Sequence, residues 1–132
     1  MVLLTVYTSG CFLIVSINGI IKNNWLGQWF FLLSILSLLN HTFTRIDEKG
    51  FRIHTNNVIN SIDRYIAHYI TVRSFIYYLY LPTYSIVYLI CLFWVIYVHK
   101  IGKLCYLPGR RGELFHCSTH IASSVGCFIL TL

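Results

Sequence analysis

His116 and His120 stand four residues apart, inside the run Leu114-Phe115-His116-Cys117-Ser118-Thr119-His120. On a helix, an i,i+4 pair projects from one face, and two imidazoles so placed can bind one metal ion. A third histidine from another segment completes a tripod, and three protein ligands with an open fourth position are the usual arrangement of a catalytic zinc. Such a zinc brings the pKa of its water to about 7 and supplies hydroxide as nucleophile. His41 offers the third imidazole. Asp63 can orient or deprotonate that water. Ser37, one turn before His41 on the same face, can hydrogen-bond the water or a substrate oxyanion.

Each residue also has a plainer use. Polar groups near helix ends can snorkel, and serine in a membrane helix often packs as a small residue or bonds its own backbone. Asp63 can pair with Arg64, Arg73 or a headgroup, and Asp47 is the alternative acidic residue. His54, His68 and His99 read as interfacial or structural. The five cysteines are an odd number with no C-x-x-C spacing, which implies neither a disulfide framework nor a thiolate metal site.

The elements that must position these groups follow from composition. Hydrophobic residues make up 57% of the 132 and charged residues 11%, against about 25% charged in ordinary soluble domains. So small a soluble fold cannot hide that much apolar surface, whereas lipid as solvent removes the difficulty. The expected fold class is all-α, a polytopic transmembrane bundle of about five helices in one domain spanning 1–132. The helices are expected near 2–21, 25–43, 62–81, 83–99 and 113–132. The first resembles a signal sequence but lacks a basic start and an obvious cleavage site, and so reads as a helix. Trp25 and Trp29 are placed as interfacial anchors, and Leu81-Pro82-Thr83 reads as a tight turn between the third and fourth helices.

Five crossings put the loops after helices two and four on one side. Those loops carry Arg45, Lys49, Arg52, Lys100, Lys103, Arg110 and Arg111, whereas the other side has little beyond Lys22. The positive-inside rule then places the N-terminus and both basic loops in the cytoplasm, and the C-terminus outside or in a lumen. The net charge of +6 is thereby used by topology and anionic headgroups, and no nucleic-acid partner is expected. Parity also brings His41, Asp63, His116 and His120 within a turn or two of the same membrane face.

The ordered set Ser37-x-x-x-His41, Asp63 and His116-x-x-x-His120 resembles the CREST superfamily of membrane hydrolases, which includes the alkaline ceramidases and the adiponectin/progestin receptors. Leu38-Leu39-Asn40-His41-Thr42, and Ser124 and Gly126 after His120, add to the likeness. The family has seven helices and this chain has room for five; losing an even number keeps the last helix in orientation. The resemblance implies zinc held by His41, His116 and His120, with Asp63 and Ser37 as the polar pair around its water. It implies hydrolysis of a lipid amide or ester such as ceramide, with membrane lipids as surroundings and a lipid as substrate. Two other readings stay open: a noncatalytic small subunit of a larger membrane complex or a homo-oligomer, and a haem carrier using two of the histidines.

Overall fold

The computed structural model describes residues 4–81 and 85–132. The chain is mostly helical, as expected. The first helix is interrupted: α1 (Leu4–Thr8) and α2 (Cys11–Ile21) are separated at Ser9 and Gly10, where Gly10 N donates to Tyr7 O in a tightened turn. Asn23 adopts φ 52°, and Asn24 then caps α3 (Trp25–Thr42) by accepting from Leu26 N at 3.0 Å.

The α2–α3 hairpin is tight because two glycines face each other. A Cβ built on Gly19 would lie 2.6 Å from Gly27 Cα, and one built on Gly27 would lie 2.4 Å from Ile20 N. No side chain fits there, so the backbones touch and α3 is held in fixed register against α2.

The polar stretch after α3 contains a small antiparallel hairpin that the sequence analysis treats only as a loop. Strand β1 (Thr44–Ile46) pairs with β2 (Arg52–His54), Arg45 opposite Ile53. Asp47 Oδ1 closes the turn by accepting from Lys49 N at 2.9 Å and Phe51 N at 2.8 Å, and Gly50 supplies φ 84°. The third long helix, α4 (Asn57–Leu79), begins five residues earlier than expected, because Asn56 caps it by accepting from Ile59 N at 3.1 Å. The expected Pro82 turn lies outside the described residues.

Helix α5 (Ile86–Ile96) continues as a π-helical turn (Tyr97–Ile101), and a 3₁₀ turn (Leu104–Tyr106) leads into α6 (Gly109–Leu130). Helix α6 also starts four residues early, after Pro108. Its first turn is tied to the hairpin by Gly109 N donating to Gly50 O at 2.9 Å.

Around the bundle the helices run α4, α3, α2, α6, α5, each packed on the next, while α4 and α5 do not pack closely along their length. They meet at one end through Tyr88, whose hydroxyl lies 3.0 Å from Ser74 Oγ and whose ring lies 4.8 Å from that of Tyr78. Phe12, Val15, Leu26, Phe30 and Ile70 form the centre of the core. The outer faces are strongly apolar as well: Ile21, Val72, Ile86 and Phe93 are each more than half exposed. Among the described residues, one helix is long and apolar enough to cross a membrane, Leu4–Ile21 with mean hydropathy 1.7; Ile86–Ile101 is a shorter apolar helix.

Gly27→Val places a branched side chain where the Cβ alone already collides with backbone. Overpacking of this kind costs about 1–3 kcal/mol or more. Thermal unfolding of the detergent-solubilised protein is expected at a clearly lower midpoint for Gly27→Val, and at an unchanged one for Ile86→Val on the exposed face.

Candidate metal centre

His41 lies on the last turn of α3, and His116 and His120 lie on successive turns of α6. The three rings face one another, with centroids 4.9 Å apart for His41–His116, 5.1 Å for His41–His120 and 4.8 Å for His116–His120. One ring nitrogen from each lies within 4.8 Å of the other two. Tetrahedral zinc with Zn–N bonds of about 2.0–2.1 Å needs nitrogens about 3.4 Å apart, so closure asks each ring to move by less than about 1 Å.

The hydrogen bonds test how well the set suits a metal. Both ring nitrogens of His41 are buried without a hydrogen-bond partner, and the residue is 2% exposed. A buried polar atom left so costs about 1–3 kcal/mol, and an ion bound through its lone pair removes part of that cost. His120 Nδ1 lies 2.9 Å from Thr8 Oγ1. Thr8 also donates to Thr5 O at 3.3 Å, which leaves it to accept from Nδ1–H and leaves the Nε2 lone pair free, as a metal-ligating histidine requires. His116 is different: Arg52 donates through NH1 to its Nδ1 at 2.8 Å. In a neutral imidazole that bond puts the proton on Nε2. His41 and His120 therefore fit a metal as they stand, and His116 fits once Arg52 lets go of Nδ1.

Asp63 is buried on the second turn of α4, where its Oδ2 accepts from Asn40 Nδ2 at 2.8 Å. Asn40 directly precedes His41, so the carboxylate is linked to the helix that carries His41 by one side chain. Ser37 shares its hydrogen bond with Ser9 Oγ at 3.1 Å, and Ser9 in turn donates to Thr5 O at 2.8 Å. The Ser37 proton thus points to Ser9. Asp47, the alternative acid, is spent on the hairpin turn.

Some participants were not singled out by the sequence. His99 joins the edge of the cluster, its ring 5.5 Å from that of His116, with Nε2 3.2 Å from Thr119 Oγ1 and Nδ1 3.2 Å from Cys105 Sγ. Arg52 reaches His116 because β2 alternates, sending Arg52 and His54 to one face and Ile53 to the other; its second amino group donates to Cys105 O. The alternation Phe51-Arg52-Ile53-His54 is the signal that was available. Glu113 is buried and accepts from Leu4 N, fastening the start of α1 to the N-terminal part of α6. His54 lies 3.1 Å from Thr44 Oγ1. Burial lowers its pKa below the usual imidazole range, and nearby Arg52 and Arg64 push it further the same way. His68 bonds Arg64 O of its own helix at 2.6 Å.

A cavity of about 580 Å³ lies between α3, α4, α5 and α6. Asp63, His116 and His120 line one end, and Ile70, Tyr88 and Cys127 line the other.

Three substitutions test the ligation. His41→Ala is expected to abolish stoichiometric zinc uptake, measured by elemental analysis after gel filtration, whereas exposed His68→Ala retains it. Arg52→Met removes both the donor on His116 Nδ1 and a cation beside the site. It is expected to tighten zinc binding by about tenfold or more, the scale of outer-shell effects, as read by competition with a chromogenic chelator.

No family model, no curated protein and no solved structure matches the chain. The three histidines can hold a metal ion, and that statement rests on their geometry alone.

Proposed function

We propose that the chain is a polytopic membrane protein whose His41, His116 and His120 hold zinc and that it hydrolyses a lipid amide or ester. The observation that carries this reading is the convergence of three imidazoles, His41 with two orphaned nitrogens and His116 and His120 on the wall of a mostly apolar cavity. The membrane part is supported by apolar residues exposed on the outer faces of the helices. It is supported too by the gathering of the hairpin, the 97–108 connection and the start of α6 at one end. That end carries Arg45, Lys49, Lys100, Lys103, Arg110 and Arg111. It faces the cytoplasm in this reading, with the C-terminus outside or lumenal.

His41, His116 and His120 would hold the zinc ion, which would supply Lewis acidity and make water a nucleophile near neutral pH. The remaining work falls to the chain. Asp63, held by Asn40, takes the proton from the attacking water as the new O–C bond forms at the carbonyl carbon. It returns that proton to the departing amine or alcohol as the C–N or C–O bond breaks. Apolar side chains such as Leu33 and Leu92 receive the acyl chain and keep bulk water from the cavity. Ser37 contributes polarity to the wall and, bonded to Ser9, is not a free oxyanion donor.

The test uses zinc-loaded protein in neutral detergent with long-chain N-acyl and O-acyl substrates, following release of fatty acid. Turnover is expected, and it should stop on chelation and resume with added zinc. Asp63→Asn is expected to lower kcat by about 10²–10⁴, the usual weight of a general acid–base, with zinc content unchanged. Fully loaded protein that releases no acid above the blank overturns the reading.

A further inference from the structure

The walls of the cavity are unbalanced in charge. Arg52, Arg64 and Lys100 all border it, against the single carboxylate of Asp63. Among the described residues none of the three cations is ion-paired. Arg64 reaches only the Tyr106 hydroxyl, at 3.4 Å, and Arg52 spends its donors on His116 and on Cys105 O, both neutral. The one acid on the wall is hydrogen-bonded by Asn40 and feels Arg64 only at longer range, without an ion pair. His54 and His68, also on the wall, offer no negative charge. Arg52 is only partly open to solvent. The buried carboxylate of Glu113 acts on Arg52 only at longer range. A guanidinium partly withdrawn from water without a paired counter-ion is costly, and it stays charged at any ordinary pH. A divalent cation on the histidines adds positive charge to the same end.

The rest of the cavity is of the opposite character. Phe12, Phe30, Leu33, Ile70 and Leu92 line it with no charged group among them. A ligand that satisfies both ends carries an anionic head and a single apolar chain.

We propose that this cavity binds a phosphate-bearing monoacyl lipid, its phosphate at Arg52, Arg64 and Lys100 and its chain among the apolar residues. The proposal names the ligand class of the cavity already described, and it rests on the hydrolase reading only for the fate of the ligand. Phosphate is favoured over carboxylate because three separate cations line the cavity, Arg52 half-buried and Arg64 and Lys100 at its exposed rim, and a phosphate presents up to three anionic or acceptor oxygens to them.

Calorimetric titration of the full chain in neutral detergent tests this with three probes: a short-chain lysophosphatidate, the monoacylglycerol of the same chain length, and inorganic phosphate. The lysophosphatidate is expected to bind at least tenfold more tightly than the monoacylglycerol. Inorganic phosphate is expected to bind more weakly than either. Arg64→Gln with Lys100→Gln should lower the ratio of the two lipids at least threefold while monoacylglycerol affinity and zinc content hold.

Equal affinities in the unaltered protein overturn the proposal. So does a preference that the double substitution leaves undiminished, since the headgroup then owes nothing to two of its three proposed cations. Inorganic phosphate binding as tightly as the lipid also overturns it, because the chain then has no part. Zinc content in the same samples keeps the two readings apart. Anion preference without zinc removes the hydrolase and leaves the lipid site, and zinc without preference does the reverse.

Discussion

An imidazole with two buried nitrogens and no hydrogen bond to either is an arrangement proteins seldom keep, and the position of His41 depends on constraints from several directions. Contact between Gly19 and Gly27 fixes where α3 runs. Asn40, the residue before His41, is held by Asp63 from α4. Helix α6 brings His116 and His120 up against it, anchored through Glu113 at one end and, at the other, through Asn18 Nδ2 donating to Thr131 Oγ1 at 2.6 Å. Loosening any one of these ties would let water or a backbone carbonyl reach the ring. Held together, they keep an unsatisfied donor set facing two neighbours of the same kind.

The hairpin gives this end its second character. A three-residue strand is a weak element by itself, yet β2 is locked by β1, by the Asp47 turn and by the Gly50–Gly109 hydrogen bond. That rigidity delivers Arg52 to His116. A guanidinium on a ligand imidazole opposes metal binding at that ring, while the same charge attracts an anion into the adjacent cavity. The two tendencies are linked. An anion that draws Arg52 away frees His116, so ligand and metal would each favour the other's binding.

Much of the frame was legible in the residues. Long apolar runs located the helices, and counting reversals from helix to helix brought His41, Asp63, His116 and His120 to one end. The i,i+4 spacing of His116 and His120 placed them on one helix face. What escaped were matters of local chemistry. The early starts of α4 and α6 arise from a cap at Asn56 and a turn at Pro108 within segments that read as charged loop. Ser37 lies on the expected helix but is spent on Ser9, a partner from the first helix that one-dimensional spacing does not reveal. Arg52 lay in a short stretch whose strand alternation is easily lost among charges. His99 comes to the cluster only because the end of α5 folds back over α6 through the π and 3₁₀ turns.

If the protein sits in a bilayer as proposed, the loose packing of α4 against α5 bears on what kind of selectivity such a site can have. A ligand entering from a lipid phase between those helices leaves one hydrocarbon environment for another. Its chain gains little in the exchange, since lipid tails are about as apolar as leucine. The roughly 0.8 kcal/mol per methylene that drives a chain out of water has already been realised in the membrane. Chain length then governs how much ligand resides in the bilayer, not how strongly the protein prefers it. Discrimination among membrane molecules must be exercised at the polar end, where a carbonyl, a hydroxyl or a phosphate exchanges the interfacial water for fixed side chains.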